Sequence, residues 1–121
     1  MIPALNESLT IGSVVESVKR AGFHNVMVIN DASDDSTAEI AEHAGATVIS
    51  LLERLGAWGA AQTGLRYAIR KGYNAVITLD ADNQHPVDAC DLLLRELING
   101  NANVVVGSCP DRGSGLRKIA W

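Results

Sequence analysis

The stretch Asn25-Val26-Met27-Val28-Ile29-Asn30-Asp31-Ala32-Ser33-Asp34-Asp35-Ser36 decides how the chain reads. Its first half is a short, continuous apolar run rich in β-branched residues. That pattern suits a strand buried on both faces, as in a parallel sheet. Its second half is a polar turn that places several carboxylates at the strand's exit. Thr37, Ile40, Ala41 and Ala44 then fall on one face at helical spacing, and Gly45 ends the stripe. The unit is strand, polar turn, helix.

The unit repeats in both directions. Upstream, Met1 to Ala4 leads to a helical stripe of Ile11, Val14, Val15 and Val18, stopped by Gly22. Downstream, Thr47-Val48-Ile49-Ser50 precedes a stripe of Trp58, Ala61, Leu65, Ala68 and Ile69, stopped by Gly72, with Trp58 read as packing against the sheet. The run Ala75-Val76-Ile77-Thr78-Leu79 precedes Leu93, Leu94, Leu97 and Ile98, stopped by Gly100, with Pro86 placed as a first-turn proline. Asn103-Val104-Val105-Val106-Gly107 is the last apolar run. Strands alternating with helices predict an α/β fold, a doubly wound, mostly parallel sheet in three α/β/α layers.

The 121 residues suffice for one domain, and 47% apolar against 20% charged excludes a disordered tail. A formal net charge of −4, from 10 basic and 14 acidic residues, argues against a general nucleic-acid binder. No apolar run approaches the roughly 20 residues of a membrane span, and no signal peptide is visible, so the sequon at Asn6 carries little weight. Cys90 and Cys109 match no metal spacing and read as reduced thiols of a cytosolic protein.

In an open parallel sheet, ligands bind beyond the carboxyl ends of the strands. Three polar groups fall there: Asn6-Glu7, Asn30 to Ser36, and Asp80-Ala81-Asp82-Asn83-Gln84-His85. Asp80 and Asp82 flank one residue at the exit of an apolar run. Paired carboxylates need an offsetting cation or donors, and hard oxygen ligands suit Mg²⁺ or Mn²⁺, with Gln84 adding a carbonyl oxygen. The plainer reading is an acidic cluster favouring the dipole of the helix after Pro86. Ser36 and Glu39 suit a capping box, which leaves Asp31 at the strand exit, placed to accept a base N–H or a ribose hydroxyl. The spacing Gly59 to Gly64 is that of a phosphate loop, but Leu65-Arg66 breaks the Walker pattern. Close helix packing or a substrate loop remain as readings there. His85 reads as structural or as a metal or phosphate contact. Arg112, Arg117 and Lys118 read as a solvated loop or as anion contacts.

Together these motifs resemble the family 2 glycosyltransferases of the GT-A fold, in particular the dolichyl- and undecaprenyl-phosphate mannose or glucose synthases. The matching stretches run in order: Ile2 to Glu7, Val28 to Thr37, Gly59-Ala60-Ala61 with Gly64, Leu79 to Pro86, and Val104 to Ser108. The resemblance implies that Pro3, Leu5 and Glu7 line the pocket for a nucleotide-diphosphate sugar, a GDP- or UDP-sugar. It implies that Asp31 holds the base, that Asp80 and Asp82 form the DxD pair, and that Asp82 and Gln84 ligate the metal beside the diphosphate, Asp82 being the catalytic residue. The implied reaction is metal-dependent, inverting sugar transfer to a polyprenyl phosphate or a polysaccharide hydroxyl. The implied location is cytoplasmic, at the inner face of the membrane, with peripheral association of the full-length protein. Cys109 and Trp58 stand where the family usually has arginine and lysine. Against the family pattern, residues 1–121 read as the nucleotide-sugar-binding part of the domain, with strand one shortened and the acceptor half absent. A binding module without turnover is the second reading. A receiver- or phosphatase-like domain using Asp80 or Asp31 as phosphoacceptor is the third, weakened because no lysine falls at a late strand end.

Overall fold

A computed structural model of the chain describes residues 1–82, 87–100 and 103–107. β1 (Ile2–Ala4), β2 (Met27–Asn30) and β3 (Thr47–Ser50) form a parallel sheet in the order β1-β2-β3. Val28 pairs with Ile2 on one side and with Val48 on the other, so β2 is central and wholly buried. Among the described residues four helices accompany them: α1 (Ile11–Arg20), α2 (Thr37–His43), α3 (Gly56–Arg70) and α4 (Ala89–Asn99).

Alternation along the strands divides the core between two faces. Ile2, Ala4 and Val28 pack with the Ile11, Val14, Val15 and Val18 face of α1, with Ala41 of α2, and with Leu79, Ala81 and Cys90. Met27 and Ile29 turn the other way, onto Ala60 of α3. Helices therefore cover both faces, as in a doubly wound fold. Cys90 is a free thiol within the first face.

The helix stops follow from glycine. Beyond α1, Gly22 takes φ +95°, its N–H bonds to the Lys19 carbonyl at 3.0 Å, and Phe23 N–H reaches Val18 at 3.2 Å. This is a Schellman end, and α2 repeats it around Gly45.

Four expectations need correction. Residues 75–79 and 103–107 form no strand ladder of their own. The first run reaches the sheet at one point: the Met1 ammonium donates to the Ile77 carbonyl at 2.8 Å, and Leu79 N–H donates to the Met1 carbonyl at 3.1 Å. A ladder needs successive paired residues, and these two bonds involve Met1 alone. The sheet order thus extends to β3-β2-β1 followed by residues 77–79. The second correction concerns α3. Its buried face is Ala60, Gly64 and Ala68, while Trp58 is 61% and Ile69 74% exposed. Small residues let the helix lie close on the sheet: a Cβ on Gly64 would stand 2.1 Å from Met1 Sδ and 3.1 Å from Ile29 Cγ1. Third, Ile98 is exposed, and α4 buries only Cys90 fully. Fourth, Ser36 occupies the N-cap of α2 without a side-chain bond. Oδ1 of Asp35 accepts the Thr37 N–H at 3.0 Å instead, so no capping box forms. Pro86 lies outside the described residues.

Candidate nucleotide site at the carboxyl edge

The loops leaving β1 and β2 meet at the carboxyl edge of the sheet. Asp31 N–H donates to the Ala4 carbonyl at 2.9 Å, continuing the β1–β2 pairing one residue past the strands. Beyond it, Asn6 N–H donates to Ser33 Oγ at 3.0 Å, and Asp34 N–H to Asn6 Oδ1 at 2.9 Å. Glu7 N–H donates to Thr37 Oγ1 at 2.8 Å, and Ser8 N–H to Asp35 Oδ2 at 3.2 Å. Asn6 and Ala32 both take left-handed backbone, at φ 56° and 54°. Asparagine tolerates that region, whereas alanine pays for its Cβ there. The turn around Ala32 is held by a side chain from the next loop: Arg54 pairs with Asp34 and donates from Nε to the Ala32 carbonyl at 3.5 Å.

Asp31 is buried, 3% exposed. Its Oδ1 accepts the Leu55 N–H at 2.7 Å and its Oδ2 the Gly56 N–H at 2.9 Å, at the start of α3. Helix starts leave such amides without partners, and a carboxylate also suits the positive end of the dipole. Each oxygen retains a further acceptor direction. The sequence offered Asp31 a ligand role and no structural one, and the structure shows it holding the start of α3. No local signal marks it, because Leu55 and Gly56 lie 24 and 25 residues onward. Asn30, also buried, donates from Nδ2 to Ser50 Oγ at 3.1 Å and accepts the Ser33 N–H on Oδ1 at 3.2 Å. It ties the exit of β3 to the same turn, and sequence reading gave it no role.

The other sequence-derived residues fall around these loops. Pro3 lies inside β1, opposite Ile29, and Leu5 is 39% exposed just past the strand. Parallel strands offer alternate residues to alternate neighbours, so Pro3, like Met1, turns toward residues 77–79. Proline has no N–H to donate there. The sheet loses a donor on the side of β1 where its strand order reverses, the place at which open α/β sheets hold ligands. Glu7 is half-buried, and its Oε2 accepts the Thr10 hydroxyl at 2.8 Å. Leu79 and Ala81 are anchored in the core, so Asp80 is exposed and Asp82 half-buried between and beyond them. Gln84, His85, Cys109, Arg112, Arg117 and Lys118 lie outside the described residues. Among the described residues, no group of three or more His, Cys, Asp or Glu side chains gathers as a metal site. Asp80 and Asp82, one exposed and one half-buried, are still hard oxygen donors, a type that suits Mg²⁺ or Mn²⁺ and not a soft metal.

Asp80 also lines a cavity of about 650 Å³ between α3, α4 and residues 74–79 and 103–107. Its walls are largely apolar, including Leu65, Leu93, Leu94 and Leu97, and none of Pro3, Leu5, Glu7 or Asp31 borders it. It is the space beside two apolar runs that form no ladder.

Comparisons with known proteins bear on the family and the fold. The chain is 30% identical over 125 residues to a UDP-N-acetylglucosamine–dolichyl-phosphate N-acetylglucosaminyltransferase of Methanococcus voltae, covering 89% of this chain and 50% of that protein. It is 27% identical to an undecaprenyl-phosphate mannosyltransferase of Micrococcus luteus, over 100% of this chain and 54% of the relative. The fold superposes on glucosyl-3-phosphoglycerate synthase of Mycobacterium tuberculosis, solved with Mn²⁺, UDP-glucose and phosphoglyceric acid, with TM-score 0.66 and 28% identity. That match covers 83% of this chain and 38% of the solved one. The chain thus spans about half the length of these curated relatives. The family model for glycosyl transferase family 2 matches residues 1–121, and with the parallel sheet and the acidic strand exits in place, the chain belongs to that family.

Proposed function

We propose that this chain is the nucleotide-sugar-binding part of an enzyme that moves a sugar from a GDP- or UDP-sugar to a polyprenyl phosphate or a polysaccharide hydroxyl. The observation that carries the reading is the lacing of the Glu7 loop onto the loop that follows Asp31, at the carboxyl ends of β1 and β2. Pro3, Leu5 and Glu7 line the nucleotide pocket. Asp31 accepts from the base with the acceptor directions that Leu55 and Gly56 leave open.

Asp80, Asp82 and Gln84 hold a divalent cation, Mg²⁺ or Mn²⁺. When bound, it supplies Lewis-acid stabilisation of the charge on a nucleoside diphosphate. The chain's own contribution is positioning: the laced loops orient the donor so that the acceptor oxygen approaches the anomeric carbon opposite the diphosphate. The bond to that oxygen forms as the bond to the diphosphate breaks, which inverts the centre. A phosphate acceptor is already anionic and needs no base, whereas a hydroxyl acceptor needs one. A polyprenyl phosphate acceptor places the reaction at the inner face of the membrane, with the protein on the cytoplasmic side. Support comes from the names of relatives that act on dolichyl or undecaprenyl phosphate.

A second reading is a nucleoside-diphosphate-binding module without turnover. Titration calorimetry with UDP and GDP, each with and without Mn²⁺, combined with a donor-hydrolysis assay, tests both. Binding that needs Mn²⁺ together with hydrolysis is the expected result. Binding alone selects the module, and no binding of either nucleotide overturns both.

A further inference from the structure

Thr37, the first residue of α2, is fully buried although its side chain is polar. Its hydroxyl works in both directions. The oxygen accepts the Glu7 N–H at 2.8 Å, and the proton goes to Oδ1 of Asp35. The other links between the two loops, from Asn6 to Ser33, Asp34 to Asn6 and Ser8 to Asp35, are exposed. Water competes for those bonds, whereas a bond shielded from water keeps more of its strength. The Thr37 link is part-buried, so among the side-chain bonds between these loops it is the one best kept from water.

We propose that Thr37 is a positioning residue: its hydroxyl sets the register between the loop carrying Glu7 and the loop carrying Asp31, so that the nucleotide pocket is formed before the ligand arrives. The inference rests on the reading of these two loops as that pocket. Thr37 touches no ligand; it acts through Glu7 and Asp35.

Two substitutions separate positioning from simple stability. Thr37→Val keeps the shape, removes the hydroxyl and leaves the Glu7 N–H without its acceptor. Thr37→Ser keeps the hydroxyl and removes a buried methyl. Both lower the unfolding temperature. Only Thr37→Val should weaken UDP or GDP binding in the presence of Mn²⁺, by about tenfold, the equivalent of one shielded hydrogen bond. Thr37→Ser should bind within about twofold of the wild type. Asp35→Asn, at an exposed side chain, keeps the size and removes the charge; checked for its fold by circular dichroism, it should weaken binding severalfold. Amide exchange at Glu7 should accelerate in Thr37→Val and stay slow in Thr37→Ser, with no nucleotide present.

Equal affinity in Thr37→Val and the wild type overturns the inference. So does an equal loss in both threonine variants, unchanged binding in Asp35→Asn, or unchanged Glu7 exchange in Thr37→Val. If the wild type binds neither nucleotide, the pocket reading fails and the inference fails with it, whereas the exchange result fails the inference alone.

Discussion

Oδ2 of Asp31 accepts the backbone N–H of Gly56 at 2.9 Å, joining the end of β2 to the first residue of α3. One carboxylate thereby fixes a helix start while sitting at the edge where a nucleotide is proposed to bind.

Replacing Asp31 by asparagine keeps the size and removes one of the two acceptor atoms. The new amide group then faces either the Leu55 or the Gly56 N–H, and a shielded donor goes unpaired. The expected cost is about 1–3 kcal/mol of stability. Urea unfolding measures it. An unchanged midpoint with an unchanged slope would show that the two amides are equally well served by water.

Gly64 lies under Met1 and Ile29. A methyl group there meets Met1 Sδ at 2.1 Å, which a flexible side chain can yield, and Ile29 Cγ1 at 3.1 Å, within a fully buried side chain. Alanine favours the helix by about 1 kcal/mol over glycine. Overpacking costs about 1–3 kcal/mol. Gly64→Ala should therefore be net destabilising, by about 1 kcal/mol, with the crowding term prevailing. Thermal unfolding of the variant reads the sign directly.

The Asp35 carboxyl is pulled down to about 2, chiefly by the Thr37 hydroxyl and further by the Ser8 and Thr37 backbone N–H groups. Its folded value lies below the ordinary one of 3.8, so its contribution is fully present above that pH. The contribution fades as pH falls toward about 2. Acid unfolding followed by circular dichroism should show Asp35→Asn with a shallower loss of stability between those two pH values than the wild type. Parallel curves would detach this carboxylate from the acid transition.

Asp82→Ala should leave the fold intact, since the side chain is only half-buried and its neighbours Leu79 and Ala81 supply the packing. Nucleotide affinity measured with Mn²⁺ should fall by about tenfold or more, with little change in affinity measured without it. Retained Mn²⁺-dependent binding would remove Asp82 from the ligand set.

The helices were legible because their cues are local. The Ile11, Val14, Val15, Val18 stripe is buried as a unit, and β3 begins and ends where the run Thr47 to Ser50 does. What the sequence hid depends on partners distant in the chain. Residues 75–79 carry the composition of a strand, yet their backbone hydrogen bonds to the sheet among the described residues are to Met1, and no ladder forms. The packing face of α3 escaped hydropathy, because Ala60, Gly64 and Ala68 are chosen for smallness, and the larger Trp58 and Ile69 drew attention to the exposed side. The place of Asp31 at the exit of β2 was readable from position alone. The helix-capping duty of Asp31 and the bridging hydroxyl of Thr37 were not, since each requires knowing which loop folds against which.

The bond from Met1 to Ile77 spans 76 positions. It places β1 between β2 and a segment made much later, which gives assembly an order in time. Closing so long a loop is slow and entropically costly compared with local pairing. During synthesis β1 can join β2 once residue 30 is free. Its opposite edge must wait for residues 77–79 to leave the ribosome, and until then it presents an unpaired strand edge, a natural point for chaperone capture or for mispairing between nascent chains.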